Sequence, residues 1–300
     1  MFVAVASNSC TRGAERAAND TGGRPDSLRA DTTVAAPEFR EWIGAAGRHL
    51  LVATESRDTA LVVFPEFTID SSLANVELRL NRDALAEFDL LATDGSSMSS
   101  RLTSLAAPKR PGCDGWPVGH VAAADLLHPW VLGLRAGRAR GIALTALDRL
   151  QGRDSTTLVI SLTRLASQAP NDTSTAFRGL PYVVRSAYTA TLADSQALVL
   201  GELVRRVNIE ASPHEERTLI IAEKAASTPT APYALAFSER QSGDEESVPT
   251  TELTALVLLR DGTYAAFGAR DYSDGGIYLM FARGQRPHWR LQWQSAYAGC

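Results

Sequence analysis

Three hundred residues, 45% of them hydrophobic and 21% charged, suffice for one large domain or two medium ones around a real core. A formal net charge of -4 and a pI near 5.8 exclude the clustered basic face that binds nucleic acid. No apolar run approaches the ~20 residues that a membrane-spanning helix needs.

The chain opens on Phe2-Val3-Ala4-Val5-Ala6, followed by Ser7-Asn8-Ser9-Cys10. This is the small-residue end of a secretory signal without its basic start. Ala4-Val5-Ala6 serves as a small-x-small cleavage site, or Cys10 as a lipid-accepting cysteine. The segment therefore reads as the tail of an export signal. The expected location is extracytoplasmic, as a secreted protein or a lipoprotein whose only membrane contact is an N-terminal anchor. Of the 30 basic residues only Lys109 and Lys224 are lysines, a bias that codon usage in a GC-rich bacterial genome explains better than any surface requirement.

Thr11 to Pro37 consists of small and polar residues, with Leu28 and Val34 as its large apolar exceptions. Such a stretch buries too little surface to offset the entropy of ordering and predicts a tether over 1–36. Pro37 then stands at a first helical position before the stripe Phe39, Trp42, Ile43 and Ala46. Leu50 to Ala53 and Leu61 to Phe64 have the length of short buried strands. Residues 85–92, with Asp94-Gly95 behind them, predict a strand running into a hairpin. Residues 95–129 are rich in Ser, Pro and Gly and predict a long irregular excursion.

Leu158, Leu162, Leu165, Ala166 and Ala169 share one helical face, which predicts a helix near 154–169 capped by Asp154 or Ser155. After Phe177 the period changes to two. Val184, Tyr188, Ala190 and Leu192 alternate with other residues, as do Tyr233, Leu235 and Phe237, and Trp289 to Trp293. Asp261-Gly262 predicts a two-residue hairpin between Leu256–Arg260 and Thr263–Phe267. The expected fold is α+β and mainly β, with an antiparallel meander in the C-terminal half and a few helices. The halves run over 37–150 (mixed α/β) and 151–300 (antiparallel β), or form one continuous body over 37–300. No repeat of fixed period supports a propeller or solenoid.

The three cysteines define the redox reading. With Cys10 lipidated or in the tether, Cys113 and Cys300 remain as a pair. Cys113 sits in a turn-rich loop, Arg110-Pro111-Gly112-Cys113-Asp114-Gly115-Trp116-Pro117. A disulfide from it to Cys300 fits an oxidising compartment, whereas a zinc site lacks the paired spacing it needs.

Candidate chemistry is sparse. Ser212-Pro213-His214-Glu215-Glu216 places a histidine beside two carboxylates, yet Ser212 and Glu215 stand at capping-box spacing. Asp125 and His128, three apart, would share a helical face near Cys113 with His120 in reach, yet Pro129 ends the segment at once and solvated loop residues are the expected role. Asp271 and Asp274 beside Gly275-Gly276 miss the alternating oxygen spacing of a calcium loop. Neither a Gly-x-Ser-x-Gly elbow nor a Gly-rich phosphate loop occurs. Trp289, Trp293, Tyr278, Phe281 and Tyr297 read as core aromatics first and as a ligand face second. No cofactor, catalytic residue or metal ligand is assigned. The expectation is a non-catalytic extracytoplasmic binding or structural protein with an unidentified ligand or envelope partner. Its alternative is a hydrolase with a dispersed site using His120, His128 or His214.

Overall fold

The strands that the C-terminal alternation predicts are present, and so are others that composition concealed. The computed structural model describes residues 49–63, 87–106, 115–122, 129–170, 175–207, 213–228, 230–284 and 288–299. The tether, the stripe of Phe39 to Ala46, Cys10, Cys113, Asp125, His128, Ser212 and Cys300 lie outside them. Pro37–Cys300 is one compact unit, and every described residue belongs to it. The fold is mainly β, with antiparallel sheets in the C-terminal half and one α-helix among the described residues.

The first body is a closed barrel. Its strands are β1 (Leu50–Ala53), β2 (Thr59–Val63), β3 (Glu87–Ala92), β4 (Ser97–Ala106), β5 (Val118–Val121) and β6 (Trp130–Arg135). They run in the order β1-β2-β5-β4-β3-β6, and Leu51 opposite Gly133 closes the ring. Consecutive residues are buried on β1 (Leu50, Leu51), β2 (Val62, Val63) and β3 (Leu90, Leu91), so these strands are covered on both sides. Strand β4 mostly alternates between exposed and half-buried residues. The irregular excursion expected over 95–129 is therefore corrected: β4 and β5 lie inside it. Their Ser-rich and Gly-containing sequences suit a barrel wall with one solvated side, and that composition resembles a loop.

Two sheets follow. One orders β16 (Trp289–Gln294), β15 (Gly275–Arg283), β14 (Tyr264–Tyr272), β13 (Thr250–Leu259) and β7 (Ala139–Ile142), with β17 (Ala298–Gly299) added beside β15. The other orders β12 (Ala234–Asp244), β11 (His214–Ala225), β10 (Gln196–Val207), β9 (Val183–Thr191) and β8 (Thr145–Ala146). Strands β7 and β8 thus precede residue 150 but belong to the later sheets.

The cores show how these parts stack. Ala255, Val257, Ala265, Phe267, Met280 and Trp293 join the barrel's Leu51, Leu91 and Leu132 in one cluster. Leu253, Leu256, Ala266, Leu279 and Phe281, on the opposite face of the same sheet, meet Leu198, Leu200, Leu219 and Ile221 of the β8–β12 sheet. The far face of that second sheet presents Val199, Leu203 and Ile220 to helix α1 (Gly152–Gln168) through Leu158, Leu162 and Leu165. Barrel, sheet, sheet and helix follow in layers. A strand such as β14 is buried on both faces, which is why its sequence is nearly unbroken in apolar and small residues.

Bulges redirect side chains at four places in the two later sheets, and three of these fall in predicted alternations. A register shift between Leu253 and Ala255 turns Leu253 and Ala255 to opposite faces. A second, on β16 opposite Met280 and Phe281, sends Trp293 towards the barrel and Trp289 towards the β8–β12 sheet. The simple in-out pattern read over Trp289 to Trp293 is corrected accordingly. The same device at Ala236 separates Phe237 from Tyr233 and Leu235. At Arg185 it separates Val184 from Tyr188.

The turns also differ from expectation. Gly262 N–H bonds Leu259 O at 2.9 Å and Leu259 N–H bonds Thr263 O at 2.8 Å, with Gly262 at φ +87°. This is a three-residue type I turn with a left-handed glycine, in place of the two-residue hairpin predicted at Asp261-Gly262. The Ala92–Ser96 turn repeats it at Gly95. Helix α1 begins at Gly152, with Gln151 as N-cap and no side-chain cap bond, so neither Asp154 nor Ser155 caps it. His214, Glu215 and Glu216 belong to strand β11, which removes the capping-box reading of that motif. Glu215 and Glu216 are nearly inaccessible and paired with arginines, a burial that local pattern does not reveal.

Candidate functional site

A cleft of about 1060 Å³ is lined by residues of β2, β5, the β1–β2 turn, the β14–β15 hairpin and β17. The β1–β2 turn contributes Thr54, Glu55 and Ser56. Strand β5 and the residues before it contribute Trp116, Val118 and His120. The facing wall is the hairpin with Asp271, Ser273, Asp274 and Tyr278.

The hairpin wall is held by very close backbone packing. Gly275 opposes Gly299 in the β15–β17 pair, and a Cβ on Gly275 would meet Ala298 O at 2.2 Å. Only glycine allows that approach. Tyr297 donates its hydroxyl to Asp274 Oδ1, and its ring meets Tyr272 edge-on at 5.7 Å. That hydrogen bond, together with smaller desolvation and charge effects, pushes the Tyr297 phenol up to about 12. The C-terminal strap is thus tied to one rim of the cleft.

The electrostatics of the cleft are one-sided. Its described lining carries Glu55, Asp271 and Asp274 but no lysine or arginine, and His120 is its one potentially basic group. Desolvation by the walls raises the Asp271 carboxyl above the usual range, with the Arg185 charge acting in the opposite sense. Its outer side still meets solvent. Burial, and secondarily the charge of Asp271, push the Tyr278 phenol up to about 12. Trp116 is 5% exposed, and its indole Nε1–H is buried without a hydrogen-bond partner among the described residues.

The histidines do not converge. His120 lies exposed on β5 in the cleft, and its imidazole bonds no serine or carboxylate among the described residues. His214 begins β11, where Nδ1 lies 3.1 Å from Asp244 Oδ1 of β12. His128 is outside the described residues. Among the described residues there is no cysteine, and no three His, Cys, Asp or Glu side chains converge to hold a metal ion. Asp271 and Asp274, set aside as a calcium loop, return as parts of the cleft wall. Of the five C-terminal aromatics, Trp289, Trp293 and Phe281 are buried core, Tyr278 lines the cleft and Tyr297 is 39% exposed.

Sequence reading missed Glu55 and Trp116 as site residues. They come from segments about sixty residues apart in the chain, and the pairing of β2 with β5 brings them to one opening. The tryptophan in a turn-rich stretch was the one available signal, because a loop seldom carries so large an apolar ring without something to cover it.

Comparison with known proteins found no matching family model, no matching curated protein and no matching solved structure. No helix among the described residues is long and apolar enough to cross a membrane.

Proposed function

We propose that this chain is a non-catalytic extracytoplasmic protein that binds its ligand in the cleft between the barrel and the β14–β15 hairpin. The observation that carries the reading is the cleft itself, with carboxylates, hydroxyls and aromatic rings around about 1060 Å³. That is the size and mixture of a ligand site. Among the described residues, the His120 imidazole in the cleft bonds no serine or carboxylate.

The extracytoplasmic location rests on the signal-like start, with Cys10 as the candidate lipid anchor, and on the Cys113–Cys300 disulfide. Gly115 and Trp116, just beyond Cys113, line the same cleft as Gly299, the neighbour of Cys300. That shared lining supports the proposed pairing.

The competing reading, a hydrolase, rests on His120 in the cleft. His214 has a structural partner elsewhere.

The test is a thermal-shift series with metals, glycans and peptides on the full chain and on Ser273→Trp, which places a bulky ring at the exposed hairpin tip. One ligand class should raise the melting temperature of the native chain and leave the variant unmoved. Equal shifts in both proteins, or none in either, would overturn the cleft as the site. Turnover of an ester or peptide that His120→Ala abolishes would replace the binding reading with the hydrolase.

A further inference from the structure

We draw no further inference here: the strongest candidate, the strap Tyr297–Gly299 whose strand β17 pairs with β15 at the rim of the cleft, belongs to the site already described, and nothing among the described residues shows it leaving that rim.

Discussion

Trp289 donates its indole N–H to Glu223 Oε1 at 2.6 Å, and both residues are buried between the two C-terminal sheets. Arg283 bonds the other oxygen of the same carboxylate at 2.5 Å and reaches Asp194 at 2.6 Å. One end of the sheet–sheet interface is therefore closed by charge and the middle by Phe281, Leu279 and Leu200. The other end repeats the pattern, where Glu202 Oε1 accepts the Thr251 backbone N–H at 2.7 Å and Arg270 pairs with Glu239. Buried ion pairs contribute little net stability against a well-packed apolar substitute, but breaking one of them strands the partner.

Glu223→Ala should accordingly destabilise the protein by roughly 3–5 kcal/mol, because it orphans the Trp289 donor and removes half of the Arg283 anchorage. Glu223→Gln keeps an acceptor for the indole and should cost less. Urea unfolding followed by tryptophan fluorescence checks both, and equal stability of the alanine variant and the native chain would show that the clamp is idle.

A second expectation concerns alkaline pH. The Tyr278 phenol is raised from 10.0 to about 12, mainly by burial, so the folded state holds that proton after the unfolded chain has lost it. Stability from this group is whole below pH 10 and falls as pH rises towards about 12. Tyr278→Phe should flatten that loss in melting curves recorded across the window. A decline just as steep in the variant would assign the alkaline weakening to other groups.

The strand-rich class, the 152–168 helix and most C-terminal strands were legible because period and turn residues act locally. What escaped were features that only tertiary packing creates. The bulges at Ala236 and on β16 reverse the facing of Phe237 and Trp293 without altering the apparent alternation. Strands β4 and β5 looked like a loop because a barrel wall solvated on one side tolerates Ser and Gly. The His214 motif looked like a helix start, because a capping box is recognised from spacing alone and spacing says nothing about Arg206 and Arg217 waiting on Glu215. The cleft was legible only in fragments: His120 and the Asp271–Asp274 pair stood out, but nothing local joined them to Glu55 and Trp116.

Export and oxidation form a third expectation. Expressed behind a complete signal sequence, the chain should fractionate outside the cytoplasm. Non-reducing peptide mapping of that material should yield one linked pair of peptides, containing Cys113 and Cys300. A bridge requires their Cα atoms within about 7 Å and, for so long a loop, stabilises by up to about 5 kcal/mol. Two free thiols in the exported protein would remove the oxidising-compartment argument.

The cleft is tested most directly by hydrogen exchange read by mass spectrometry on the full chain, with and without the ligand that raises its melting temperature. Protection should appear in peptides covering 54–61, 115–120 and 271–278, the segments that line the opening, and should vanish in Ser273→Trp. Protection confined to β11 and β12, around His214 and Asp244, with the cleft segments unchanged, would contradict the account.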